Sequence, residues 1–352
     1  MTTTHDWARE WMEGDGQPLQ LLGQDGRILH PEVARPPDDL VREGLRLMLL
    51  SRAIDERCTN LQRQGRLGLY APVLGQEAAV VGSHLAINPA VDWLVPASRE
   101  QPAMLRHGWP LDRMLALMLG RFEAARIPDD VRMLPRQQSI GSQLPHAVGI
   151  AWSASIQGRD DITLAYCGDG ATSEGDFHEA CNLAGVMQVP LVLVVINNQY
   201  AISTPIAKQT RAARLADRAR GYGFPGVAVD GNDLLAVHEV TSQAVERARS
   251  GQGPTMIEAV TYRLGFHNTS DNPSLYRDPA EVARAEELDP VARVVAYAEA
   301  QGLVDAAAVE TQVLEARAEV ATALERALSY PTPGPDDVFR HVSAEEDQRA
   351  SE

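Results

Sequence analysis

Ile162-Thr-Leu-Ala-Tyr-Cys-Gly168-Asp169-Gly170 is followed, after a connector of helical length, by Pro190-Leu-Val-Leu-Val-Val-Ile196-Asn197-Asn198. Each stretch is a short apolar run that stops abruptly at small and polar residues, as a fully buried strand does when it leaves a sheet. The second run is β-branched throughout its centre, which favours a strand over a helix. Between them Phe177, Ala180, Cys181, Ala184 and Met187 recur at helical spacing, so an amphipathic helix is expected to connect the two strands. Strand, helix and strand in that order predict a parallel βαβ unit with a right-handed crossover. Both polar clusters then leave the carboxyl edge of one sheet, where open α/β folds bind ligands. Asp169 and Asn198 are expected to meet there.

The donors at that edge are a carboxylate, an amide oxygen and backbone carbonyls. These are hard oxygen ligands, suited to Mg²⁺ completed by phosphate oxygens and water. Gly170 and Ala171 are small enough for their amides to approach a phosphate, and the helix that follows offers a positive amino-terminal end. Read singly, Gly-Asp-Gly is only a turn and Asn-Asn only a loop cap. It is their joint placement at the ends of two strands of one unit that argues for a site.

Working outward, residues 1–36 are polar with Gly and Pro and read as an N-terminal extension. Apolar residues at helical spacing from Asp38 to about Gly65 predict a long helix, and Gln76 to Leu85 another. Thr255-Met-Ile-Glu-Ala-Val-Thr-Tyr262 is a further buried-strand candidate, ending close to His267. Residues 281–329 carry helical periodicity, read as one or two helices, and Tyr330-Pro-Thr-Pro-Gly-Pro335 breaks them. The division expected is an extension 1–36, a main domain 37–335 and a polar tail 336–352.

The 352 residues are 44% apolar, enough for a sizeable core, and the net charge is −16. Nucleic-acid binding relies on Lys and Arg neutralising phosphates, so that class is excluded. Cys58, Cys167 and Cys181 are scattered without CxxC spacing and read as buried free thiols in a reducing cytoplasm. The amino terminus lacks the apolar core of a secretory signal, and no run of 18 apolar residues is present, so no membrane span is expected. Gly221-Tyr-Gly-Phe-Pro-Gly226 spells the dinucleotide fingerprint, but it follows a helix-like run and leads into a strand. The context is inverted, and a nucleotide-binding oxidoreductase is set aside.

Gly168-Asp169-Gly170 through Asn197-Asn198 resembles the thiamine diphosphate motif. Cys167-Gly-Asp-Gly-Ala-Thr-Ser-Glu-Gly-Asp-Phe-His-Glu-Ala180 and Asn197-Asn-Gln-Tyr-Ala-Ile-Ser-Thr-Pro205 resemble the alpha subunit of the decarboxylating component of 2-oxoacid dehydrogenase complexes. Further matches follow in family order: Leu61–Gly65, Tyr70–Ala78, Ile140–Pro145, Val229–Asp233 and Thr261–Asp271.

The resemblance implies an α/β thiamine-diphosphate-binding fold, a parallel sheet flanked by helices with helical N- and C-terminal additions. Its cofactors are thiamine diphosphate and Mg²⁺. Carried over residue by residue, Asp169, Asn198 and the Tyr200 carbonyl would hold the metal. Arg99, with Gly170 and Ala171, would meet the diphosphate, Ile140 would support the aminopyrimidine, and His267 would stand at the mouth as the catalytic histidine. As a lone residue in a Gly-, Asn- and Ser-rich loop, His267 reads as a solvated imidazole, and Ile140 reads equally as a core residue. Arg263 reads as a loop anchor.

The carboxylate that activates the cofactor belongs, in the family, to a separate beta subunit. An α₂β₂ heterotetramer is therefore implied, passing an acyl group from a small 2-oxoacid to a lipoyl-bearing transacylase core in the cytoplasm. Ser98 stands where the family has a tyrosine before its arginine, so a weakly active or non-catalytic scaffold subunit stays open. Asn268 stands at a position where some members carry a regulatory serine. Asn232 and the Asn268–Asp271 loop lean towards branched-chain substrates, residues 128–145 towards pyruvate, and acetoin is a further alternative.

Overall fold

The computed structural model describes residues 17–335 and residue 337. Residues 1–16 of the expected extension, and the expected tail apart from Asp337, lie outside the described residues.

Five parallel strands form the central sheet in the order β1 (Trp93–Val95), β2 (Thr163–Gly168), β3 (Leu191–Asn197), β7 (Thr255–Val260), β6 (Gly226–Asp230). A two-residue hairpin, β4 (Tyr200–Ala201) and β5 (Thr204–Pro205), stands apart from it. The expected βαβ unit is present: helix Gly175–Met187 joins β2 to β3, which pair in parallel from Thr163↔Leu191 to Gly168↔Ile196.

Period-two alternation divides the sheet's side chains between two cores. Leu164, Tyr166, Val192, Val194 and Ile196 join a core with the helices Asp38–Arg63, Glu77–Leu85 and Leu234–Arg249. Ala165, Cys167, Leu193 and Val195 join the other, with Ala147, Val148, Phe177, Ala180, Cys181 and Ala184 from the helices Gln143–Gln157 and Gly175–Met187. Burial on both faces explains why β3 is an unbroken apolar run. Met187, expected on the inward face of the crossover helix, is 38% exposed: the last turn, which ends at Gln188 in the left-handed conformation, buries Ala184 and Gly185 instead. The three cysteines are buried and unpaired, as their spacing predicts.

The carboxy-terminal periodicity resolves into three helices, Pro279–Glu286, Pro290–Ala300 and Ala306–Ser329. Asp278, Asp289 and Asp305 each accept first-turn amides, and Pro follows the first two at a position where a missing N–H costs nothing. These caps are the stops that periodicity alone does not reveal. Among residues 17–36, Leu19 runs beside β6: its N–H donates to the Ala228 carbonyl and its carbonyl accepts from Asp230 N–H. Asp233 Oδ2 accepts the N–H groups of Leu21 and Leu22, and Leu19 and Leu22 are buried. Among the described residues no helix is long and apolar enough to cross a membrane.

One buried polar cluster lies inside the larger core. Arg106 donates to His84 Nδ1, so His84 Nε2 carries the proton and donates to His107 Nδ1 at 3.0 Å. His107 Nε2 then donates to the Arg132 carbonyl at 2.9 Å. Both rings are neutral: burial, with Arg106 nearby, holds His84 well below its ordinary value and His107 at about 4. A folded pKa below the unfolded one means that the unfolded chain binds more protons in the window between them, so this contribution to stability is complete above about pH 6.5 and is lost as pH falls towards 4. Urea denaturation of wild type and His107→Asn is predicted to show the wild-type advantage shrinking by roughly 1–2 kcal/mol between pH 7 and pH 5.

Candidate active site

The ends of β2 and β3 are brought side by side by their register, Gly168 opposite Ile196, and both chains turn at once. After β2 the backbone makes a 3₁₀ turn over Asp169–Ser173, closed by the Thr172 hydroxyl donating to the Asp169 carbonyl at 2.7 Å. After β3, Asn197 folds back on the turn, its Oδ1 accepting Gln199 N–H at 3.2 Å. Gln199 and Ile202 take positive φ, 74° and 57°, a conformation costly for non-glycine residues and held by the contacts around it. The Asn197 amide donates to the buried Glu258 of β7 at 2.7 Å. The hairpin after it lies so close to Gly170 that a Cβ there would stand 2.8 Å from the Ala201 Cβ.

Asp169 and Asn198 are both buried, and the Asn198 backbone N–H faces the Asp169 carboxylate. Gln209, from the short helix Ile206–Gln209, donates to Asp169 Oδ2 at 2.6 Å, while its neighbour Lys208 is exposed. Among the described residues no Arg or Lys forms an ion pair with Asp169, and burial raises its carboxyl above the ordinary value. Asn198 Oδ1 accepts Tyr200 N–H at 3.3 Å, and its amide donates to Gln76 Oε1 at 2.9 Å. Buried polar atoms without partners lie on these same side chains: Gln76 Nε2 and Gln209 Oε1. A buried carboxylate without an ion-pair partner among the described residues, which Arg263 influences only at longer range, fits with its neighbouring unfilled polar atoms a divalent ion and its water or phosphate ligands. Among the described residues no cluster of three His, Cys, Asp or Glu occurs; the carboxylate, amide and carbonyl oxygens here are hard donors of the kind Mg²⁺ takes.

Arg263, almost fully buried, donates to the Tyr200 carbonyl at 3.1 Å and the Ile202 carbonyl at 2.7 Å, and so anchors the loop as its sequence context predicts. The Tyr200 oxygen keeps its second lone pair. Arg99, also buried, donates to the Pro72 carbonyl at 2.6 Å and the His267 carbonyl at 2.6 Å. Behind them Arg277 lies 5.2–5.8 Å from the rings of Tyr200, Tyr262 and Tyr276.

His267 is half-buried rather than solvated, because its loop is drawn inward. Asp271 Oδ2 accepts the His267 N–H at 2.7 Å and the Tyr276 hydroxyl at 2.6 Å. Arg99 and Arg263 approach His267 Nδ1 at 3.1 and 3.4 Å. Two guanidinium groups can only donate, so Nδ1 accepts and the proton resides on Nε2. Burial, then Arg99 and Arg263, lower the imidazole to about 4, so it is neutral at pH 7 and presents an Nε2–H donor.

Of the other residues singled out, Ala171 is buried beside Asp169, and Ile140 is 54% exposed, which removes its reading as a core residue. The Ile140 loop comes close to the segment after the Asp169 turn, where a Cβ on Gly141 would stand 3.2 Å from the Glu174 Cβ. Gln76 and Gln209 were missed in the sequence. Gln76 lies within the Tyr70–Ala78 match, but no local feature gives either residue a role, since each reaches the site across more than 35 residues of chain.

Residues 45–336 match the family model of the dehydrogenase E1 component. The chain is 43% identical over 340 residues to the 3-methyl-2-oxobutanoate dehydrogenase subunit alpha of Mycobacterium tuberculosis, covering 95% of this chain and 91% of that one. It is 39% identical over 316 residues to the pyruvate dehydrogenase E1 component subunit alpha of Bacillus cereus, covering 89% and 85%. The protein of the same name from Bacillus subtilis is 38% identical over 325 residues, covering 92% and 87%.

The imidazole geometry gives a direct prediction. Titration of His267 followed by NMR is expected to place its midpoint at about 4 in the wild type, and Arg99→Gln is expected to move it upward. A midpoint in the ordinary histidine range in the wild type would show that the two guanidinium groups do not face the ring.

Proposed function

This chain belongs to the dehydrogenase E1 component family, a family of oxidoreductases, and from that premise we propose that it is the alpha subunit of a 2-oxoacid dehydrogenase. With a beta subunit it would carry out thiamine-diphosphate-dependent decarboxylation of pyruvate or a branched-chain 2-oxoacid and pass the acyl group to a lipoyl domain of a transacylase core. The observation that carries the reading is Asp169, a buried carboxylate at the carboxyl edge of the sheet that forms no ion pair among the described residues, with Arg263 acting on it only from beyond ion-pair distance and the Asn198 backbone against it.

When bound, thiamine diphosphate supplies the electron sink that loss of CO₂ requires. This chain's residues hold and orient it. The Asp169 carboxylate, Asn198 Oδ1 and the Tyr200 carbonyl supply the oxygen ligands of Mg²⁺. The amides near Gly170 and Ala171 approach the diphosphate, and Arg99 offers a planar guanidinium whose N–H groups are not all spent on Pro72 and His267. Exposed Ile140 is left to contact the pyrimidine side. Neutral His267 donates from Nε2 to an oxygen of the substrate and, at a pKa of about 4, is a poor proton acceptor at pH 7. The catalytic carboxylate is expected from the beta chain in an α₂β₂ assembly, so the alpha chain alone is expected to be inactive. The free thiols agree with a cytoplasmic location.

The test is decarboxylation of pyruvate and of 3-methyl-2-oxobutanoate by the chain co-expressed with its beta subunit, with thiamine diphosphate, Mg²⁺ and an artificial electron acceptor. Turnover of one substrate, reduced at least ~100-fold in Asp169→Ala, is the expected result and identifies the substrate. Cofactor binding without turnover of either would assign a scaffold role and direct attention to Ser98. Absence of cofactor binding would overturn the reading.

A further inference from the structure

The segment from Tyr70 to Gln76 touches Arg99, Asn198 and the loop that carries His267. The Pro72 carbonyl accepts from Arg99 at 2.6 Å, and Gln76 Oε1 accepts from Asn198 at 2.9 Å. The Gly75 carbonyl accepts the Thr261 hydroxyl at 2.6 Å. Tyr70 pairs through its backbone with Thr269, just beyond His267, its N–H donating to Thr269 Oγ1 at 3.1 Å and its carbonyl accepting Thr269 N–H at 2.9 Å. The segment has no helix or strand of its own before Glu77, so no ladder fixes it. At Gly75, with φ of +91°, a Cβ would meet the Tyr262 carbonyl at 2.3 Å, which shows how closely the segment lies on the chain leaving β7.

Asp55, on the helix Asp38–Arg63, holds this arm from beneath. Its Oδ1 accepts the Tyr70 hydroxyl at 2.5 Å, and its Oδ2 accepts the Val73 and Leu74 N–H groups, each at 3.0 Å. The carboxylate is 6% exposed and forms no ion pair among the described residues. The titratable and charged groups around it are Tyr70, Cys58, Glu77 and Arg99, with Arg136 facing Tyr70 and Cys58, and Arg52, Glu56, Arg63 and Arg317 lining the same cleft. Asp55, Pro72 and Leu74 also line a cleft of about 590 Å³ that continues to Phe266 and Arg317, so protons have a route to the carboxylate. Burial raises the Asp55 carboxyl to about 7, against the Tyr70 and backbone hydrogen bonds that favour its ionised form.

We propose that Asp55 is a positioning residue for the reaction: its carboxylate pins the Tyr70–Gln76 arm and so sets Arg99 and Asn198 for the diphosphate and its cation. The inference rests on the function proposed above, and Asp55 touches neither group itself. Ionised, it is acceptor-only and makes charge-assisted bonds to three donors; a proton on it, or an amide in its place, leaves Val73 and Leu74 on a neutral oxygen and obliges the Tyr70 hydroxyl to turn and accept. The arm is then held less tightly on the helix, and the arginine and asparagine bonded to it lose alignment.

The experiment is calorimetric binding of thiamine diphosphate with Mg²⁺ to the alpha–beta complex between pH 6 and pH 8. It compares the wild type with Asp55→Asn, Tyr70→Phe and Asp169→Ala. Asp55→Asn is expected to weaken binding about tenfold or more at pH 8, the scale of a lost charge-assisted hydrogen bond. The wild-type advantage should shrink as pH falls through about 7. Titration of the cofactor's own phosphate is common to both proteins and cancels in that ratio. Tyr70→Phe keeps the backbone bonds but removes the donor that most favours ionisation, so the midpoint of the pH dependence should move upward. This variant carries the test if Asp55→Asn fails to assemble. A lower melting temperature with unchanged affinity at every pH would overturn the inference, as would an unmoved midpoint in Tyr70→Phe. Wild type that binds no better than Asp169→Ala would overturn the functional reading, and this inference with it, a result distinct from either of those.

Discussion

The in-register parallel pairing of β2 with β3 is the constraint on which the site depends. With Gly168 opposite Ile196, the first residues to leave each strand are Asp169 and Asn197-Asn198, and they emerge together. A slip of one residue would invert every side chain on β3, exchanging Val192, Val194 and Ile196 with Leu193 and Val195 between the two cores. Packing on both faces therefore fixes the polar edge to within one residue. The apolar interior and the polar site are two results of one register.

Around that edge the protein concentrates positive charge that few carboxylates neutralise. Arg99, Arg263 and Arg277 are all buried, and their closest partners are backbone carbonyls, His267 and tyrosine rings. Arg99 is lowered to about 10, first by burial and then by Arg263. Such an arrangement is unfavourable in isolation and is relieved by an anion. Beside it, Asp169 is a buried carboxylate that forms no ion pair among the described residues and feels Arg263 only from beyond ion-pair distance. The two imbalances are adjacent and opposite in sign, which supports a ligand that is itself a metal–diphosphate pair.

The strands were legible because buried parallel strands are long apolar runs: β2, β3 and β7 lie within a residue or two of their expected bounds. β1 escaped notice because three residues, Trp93–Val95, give no pattern. The carboxy-terminal helices numbered three, since aspartate caps set their starts and periodicity is blind to caps. Asp169, Asn198 and the anchoring Arg263 could be read because each sits at the end of an apolar run. Gln76, Gln209 and Asp55 could not. Their roles come from contacts with distant parts of the chain, which no local pattern reveals, even for Gln76 inside the Tyr70–Ala78 match.

One feature of the loop around Asp169 reaches beyond the site itself. Nearly every cationic side chain in this protein is an arginine, and the single lysine, Lys208, stands exposed beside the glutamine that grips the Asp169 carboxylate. Amine-selective chemistry directed at side chains therefore has one address in the whole chain. A fluorophore or spin label placed there without mutagenesis would ride on the short helix Ile206–Gln209 and report on that loop alone. The sequence has provided its own spectroscopic window onto the edge of the sheet.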